Sequence, residues 1–136
     1  MTRIATLLLP VLLILGGCKA DTSGLQTLAV PDLVALRAEN ADLVLCDANS
    51  PKTRGRFGVI PGALLLSSYR DYAPAVELPS DKSQKLVFYC HSEWCGAASD
   101  AARKAIAAGH RNVVVLSAGI KGWIEAGKPV QSYPSS

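Results

Sequence analysis

Short apolar runs alternate with segments of helical period from residue 25 onward. That alternation is the pattern of an α/β domain with a mostly parallel sheet. Residues 25–30 predict a short edge strand, and Pro31-Asp32 opens a helix, because proline at a first helical position is pre-organised. Residues 42–46 (DLVLC) are too few and too uniformly apolar for a helix and predict a buried strand. Residues 49–62 hold Pro, Gly and several charges and predict a loop with room for one helical turn. Residues 63–66 predict a third short strand, and Pro74 and Pro79 limit residues 69–78 to a turn or two of helix. The strongest strand signal is KLVFYC at 85–90, and the strongest helix signal is 96–108, ended by Gly109 at a C-cap position. Residues 112–116 (NVVVL) predict another buried strand, and 119–126 a final helix closed by Gly127 and Pro129. The expected fold is an open, mostly parallel five-stranded sheet flanked by helices on both faces.

The N-terminus breaks this pattern. Residues 4–15 form one apolar run of twelve after Arg3. A membrane-spanning helix needs about 20 residues, so the run suits the apolar region of a secretory signal. Leu15-Gly16-Gly17-Cys18 resembles a bacterial lipobox, whose cysteine is linked to diacylglycerol and becomes the first residue of the mature protein. The expected organisation is a lipoprotein signal peptide at 1–17, an acylated tether at 18–26, one domain at 27–131 and a Pro/Ser tail at 132–136. That places the domain on the periplasmic side of a bacterial membrane, anchored through lipid on Cys18. Lys19 after Cys18 resembles a sorting signal for the outer membrane.

Charge adds little. The formal net charge is +3, and +2 once Arg3 leaves with the signal, too small and scattered for a nucleic-acid surface. At 136 residues the chain has the length of one domain.

The cysteines carry the candidate chemistry. Cys90 ends the strongest strand signal and Cys95 stands just before the strongest helix. Ligands of open α/β sheets bind beyond the carboxyl ends of strands, and a loop running into a helix N-terminus presents N–H donors that stabilise a thiolate or bind an anion. Cys90 is therefore the candidate nucleophile, with the loop His91, Ser92, Glu93, Trp94 and Gly96 as the cradle. A disulfide between Cys90 and Cys95 remains open, as does a resolving role for Cys95. Zinc is disfavoured: C-x₄-C lacks a second ligand pair, and His91 is the sole neighbour that could ligate. Cys46 reads as core and His110 as a surface residue. Ile120, Trp123 and Ile124 share a helical face that reads as core packing. Trp94 reads either as a gate or partner contact, or as packing at the sheet edge. Asp47, Arg54, Arg56 and Tyr69 read as lining the site's mouth or as solvated loop support.

Further landmarks accompany the loop in order: Arg56-Phe57-Gly58-Val59-Ile60-Pro61-Gly62-Ala63, then Val113 to Leu116, Gly119, Trp123 and Ala126-Gly127-Lys128-Pro129-Val130. With Asp47 at a strand end, this set resembles the rhodanese family of sulfurtransferases over residues 27–131. The resemblance implies that Cys90 takes a sulfane sulfur from a thiosulfate- or polysulfide-type donor and passes it to a thiol or cyanide-like acceptor. It implies no metal and no organic cofactor. Cys95 stands where the family often has Arg, Val59 where it has His, and Asn49 where it has Arg; Glu93 adds a negative charge. These departures point toward a polysulfide, a small persulfide or a protein partner as donor. Two alternatives stay open: a thiol/disulfide redox protein using Cys90 and Cys95, and a non-catalytic binding module on the same fold.

Overall fold

A computed structural model describes residues 17–134 except Ala41. The leader at 1–16 and the last two residues lie outside the described residues. Five strands and five helices follow in sequence: β1 (Gln26–Leu28), α1 (Val30–Glu39), β2 (Val44–Asp47), α2 (Pro51–Phe57), β3 (Leu64–Leu65), α3 (Pro74–Glu77), β4 (Leu86–Tyr89), α4 (Ala97–Ala107), β5 (Val113–Leu116) and α5 (Gly119–Glu125). All named strands pair in parallel, in the order β1-β5-β4-β2-β3. Among the described residues no helix is long and apolar enough to cross a membrane.

Every residue of β4 and β5 is buried, which is why both sequences are unbroken apolar runs. Successive side chains point to opposite faces and divide the core in two. Leu86, Phe88 and Cys90 pack with Cys46, Val113, Val115 and the alanine stripe Ala98, Ala101, Ala102 and Ala105 of α4. Val87 and Tyr89 pack with Val114, Leu116, Leu33 of α1, and Ile120 and Trp123 of α5. The alanines recur at i, i+3, i+4 and i+7, so α4 presents one small-residue face to the sheet.

Three expectations change. Residues 49–62 contain a two-turn helix, α2, because Ser50 caps it by accepting the Thr53 N–H at 3.3 Å and Pro51 occupies its first position. Residues 25–30 yield only three strand residues, since Val30 already belongs to α1. His110 is no surface residue: it is 2 % exposed, with Nε2 3.1 Å from Lys82 Nζ. The Gly109 turn (φ 97°) folds the chain back under α4 and carries His110 inward.

Candidate active site

Helix α5 braces the cysteine loop from behind. The Ile120 and Lys121 N–H groups donate to the carbonyls of Cys90 and His91, each at 2.9 Å. Such close approach requires Gly119, at φ 62°: a Cβ there would sit 2.6 Å from the His91 carbonyl carbon and oxygen. Loop carbonyls are thus turned toward α5, and the N–H groups of His91, Ala97 and Ala98 are left to face the sulfurs. A turn closed by the Cys95 N–H to the Ser92 carbonyl at 3.0 Å completes the loop. Gly96 sits at the N-cap of α4.

Both cysteines are free thiols and they are unequal. Cys90 is buried, and its Sγ donates to the Cys95 carbonyl at 3.0 Å. Its hydrogen bonding to Cys95 raises its pKa, and burial and the neighbouring thiolate raise it further. Cys95 is half-buried, and its pKa falls to about 5, chiefly through the hydrogen bond from Cys90. Burial opposes that fall, while the His91 and Ala97 N–H groups and the His91 charge assist it. The resting charge of the pair therefore sits on Cys95. The sequence placed Cys90 at the mouth; in the structure Cys95 opens to the cavity, with Cys90 behind it.

That cavity has a volume of about 420 Å³ and lies beyond the carboxyl ends of β2, β3 and β4. Cys95, His91, Ser50, Thr53, Ser68 and Tyr69 are among the residues that line it, and no lysine or arginine does. His91 is held beside Phe57, their ring centroids 4.6 Å apart.

Three residues expected at the mouth are elsewhere. Asp47 is fully buried and Arg54 is 4 % exposed. Arg54 Nε lies 3.2 Å from Asp47 Oδ1, and Nη2 donates to the Asp47 and Leu66 carbonyls at 3.0 and 2.9 Å. Tyr89 Oη donates to Asp47 Oδ2 at 2.6 Å and accepts the Ile60 N–H at 3.1 Å. Arg54 is thereby consumed in tying together the ends of β2 and β3. Arg56 is exposed, its guanidinium 5.1 Å from the Phe57 ring centroid, and is absent from the cavity lining. Tyr69 does line the cavity, as expected.

The rest of the loop faces away. Glu93 pairs with Lys19 at 3.1 Å, and its carbonyl accepts the Ala20 N–H at 2.8 Å. Trp94 is half exposed and borders a separate groove of about 220 Å³ with Ser92, Lys121 and Glu125. Among the described residues no cluster of three or more metal-ligating side chains occurs. Cys46 is core, its thiol pushed up to about 12 by burial.

Sequence reasoning missed Tyr89 as the clamp on Asp47, and Ser50, Thr53 and Ser68 as cavity lining. A helix-start signal at Ser50-Pro51 was present; nothing in the local pattern of Tyr89 marked its hydroxyl.

The sequence model of the Rhodanese-like domain matches residues 30–126. The chain belongs to this family. Among curated proteins no significant match is found. Among solved structures, the rhodanese domain is similar to a Rhodopseudomonas palustris protein of unknown function named "Possible Tyrosine Phosphatase", at 28% identity and TM-score 0.64, covering 80% of this chain and 86% of that one. A human single-domain sulfurtransferase matches at 25% identity and TM-score 0.59, covering 75% and 97%. The polysulfide-sulfur transferase of Wolinella succinogenes shares the fold at 19% identity and TM-score 0.69, covering 82% of each chain.

Proposed function

We propose that this rhodanese-like protein is a sulfurtransferase that takes sulfane sulfur from a polysulfide or small organic persulfide and carries it as a persulfide on Cys90. The observation that carries this reading is a thiolate-forming cysteine, Cys95, opening onto a cavity that no lysine or arginine lines. Cys95 meets the donor first. Its thiolate attacks the outer sulfur of R–S–SH, the S–S bond breaks, and RS⁻ leaves, taking up the persulfide proton as RSH. Cys90 passes its proton to the outer sulfur on Cys95 and then attacks that sulfur; Cys95 departs as thiolate, and Cys90 holds the persulfide beside the His91 and Ala98 N–H groups. An acceptor thiolate or a cyanide-like nucleophile removes that sulfur and restores the pair. No electron is gained or lost overall.

The side-chain hydrogen bonding between the two cysteines supports a second outcome. If Cys90 attacks the inner sulfur instead, hydrosulfide leaves, a Cys90–Cys95 disulfide forms, and a dithiol reductant must reset it. Intact-mass analysis after exposure to polysulfide or thiosulfate separates the two. Transfer predicts one added sulfur mapping to Cys90, held on Cys95 in Cys90→Ser, and loaded more slowly in Cys95→Ser. A loss of two hydrogens signals the disulfide route. No added sulfur from polysulfide on a fully reduced protein refutes sulfur transfer.

The proposed location is the periplasmic side of a bacterial membrane. The Cys18 thiol would form a thioether to diacylglycerol from a phospholipid, whose phosphorylated headgroup leaves, and water would cleave the Gly17–Cys18 bond. Cys18 is exposed and free to take that lipid. The lipobox-like sequence supports this reading, and the mass of the mature N-terminal peptide tests it.

A further inference from the structure

The segment after Cys18 does not run free. Its Ala20 N–H donates to the Glu93 carbonyl at 2.8 Å, and Lys19 pairs with the Glu93 carboxylate at 3.1 Å. From α4, Arg103 Nη2 donates to the Asp21 and Ser23 carbonyls at 3.2 and 3.1 Å and lies 3.8 Å from the Asp21 carboxylate. Ala20 and Thr22 close a residual space of about 10 Å³ that Cys90 and Cys95 also line, so the tether roofs the buried thiol. Polar segments of this composition ordinarily behave as flexible linkers. This one is fastened to the cysteine loop at one end and to α4 at the other.

That fastening fixes where an acyl chain would emerge. Cys18 lies two residues before Ala20, so its sulfur can depart from the loop by only about 7 Å of backbone. Gly17, in the uncleaved chain, lies against the Trp94 ring, where a Cβ would come within 3.1 Å of Cζ3. Trp94 is 50 % exposed, the most exposed aromatic among the chain's large apolar side chains. Tryptophan prefers the membrane–water boundary, where its ring meets lipid and its N–H meets water.

We propose that the tether holds the cysteine loop against the bilayer, with Trp94 seated at the lipid interface beside the acylated Cys18. This rests on lipidation of Cys18 and adds an orientation to it. The partner is a phospholipid surface, and the face presented is that of residues 18–20 and 92–94. The tether acts as a strut, so the loop stays near the headgroups and does not sample all directions.

The chain has two tryptophans, and Trp123 is buried, so Trp94 emission is the difference between the parent and Trp94→Phe. The lipidated full chain is reconstituted in phosphatidylethanolamine/phosphatidylglycerol vesicles with plain or brominated acyl chains. Brominated lipid should quench Trp94 at least twofold and leave Trp123 unchanged. Ala20→Pro combined with Lys19→Ala, which removes both links to Glu93, should remove at least half of that quenching with acylation intact. A mass-verified lipidated chain whose Trp94 is not quenched overturns the orientation while the lipid anchor stands. Quenching undiminished when both links to Glu93 are removed overturns the role of the tether. A membrane-extracted chain with no acyl group on Cys18 overturns the anchor, and the orientation with it.

Discussion

In a Cys18→Ser chain, the first phase of reaction with an aromatic disulfide probe such as 4,4′-dithiodipyridine should rise to a plateau near pH 6. Cys46 contributes nothing, being fully buried with its thiol pushed up to about 12. Cys90 is protonated and enclosed, which leaves Cys95, with its pKa lowered to about 5. An ordinary thiol near 8.5 is roughly 3% ionised at pH 7, so complete ionisation of Cys95 raises its thiolate fraction about 30-fold. The same lowering of pKa weakens the nucleophile by about 25- to 55-fold, given a Brønsted slope of roughly 0.4 to 0.5. The two effects nearly cancel at pH 7, so a single rate there decides nothing. At pH 5 the thiolate fraction is about half against about 0.03% for an ordinary thiol, and Cys95 should react roughly 30- to 60-fold faster. Cys90→Ser, which replaces the largest source of the lowered pKa with a hydroxyl, should move the midpoint upward. A rate that climbs about tenfold per pH unit from 5 to 8 would refute the placement of charge on Cys95.

Arg54→Leu strands the Asp47 carboxylate and two carbonyls and should cost about 3 to 5 kcal/mol, read as a fall of about 2 M in the urea midpoint; a midpoint within about 0.3 M of the parent contradicts the brace. Gly119→Ala puts a Cβ at φ 62° into the His91 carbonyl and should lower stability by at least about 2 kcal/mol and slow the probe reaction. An unchanged melting temperature would show that the loop does not need that approach. His110 has its pKa lowered, first by burial and then by the Lys82 charge, so the unfolded chain binds its proton first. Stability should therefore fall as pH drops below about 6.5, toward the folded value, and His110→Gln should flatten that part of the curve. Parallel denaturation profiles for parent and variant between pH 7.5 and 5.5 would exclude the histidine.

The strands were legible because β4 and β5 are buried throughout and continuously apolar, and β2 is apolar up to the Asp47 that ends it. The cysteine loop was legible for a related reason: strand and helix patterns leave little chain between them, and the thiols fall in that gap. Charge placement was not legible. Arg54 and Asp47 look alike whether solvated or buried, because their fate depends on Leu66, Tyr89 and Ile60, which the fold delivers from other elements. His110 was misread for the same kind of reason, since a glycine turn decides which way the next residue points. The order of the two thiols also lay beyond the sequence: spacing says they are near, and only the third dimension says that Cys95 faces the cavity.

The buried arginine and the second thiol belong to one electrostatic arrangement. A loop of N–H groups at a helix N-terminus stabilises a single negative charge. Here that charge is already present as the Cys95 thiolate, and Arg54, next in sequence to the lining residue Thr53, is spent on Asp47. An incoming dianion would meet the thiolate with no lysine or arginine in the cavity wall to offset it. Each unit charge at 4 Å contributes about 4 kcal/mol of repulsion at an effective dielectric of 20. That is close to a thousandfold in rate, before screening by salt. A protonated persulfide brings no such charge, and the thiolate it expels leaves through a cavity walled by serine, threonine and tyrosine. On the proposed reading, Cys95 at the end of this loop supplies its own negative charge where an arginine would gather anions, and an uncharged donor is favoured over a dianion.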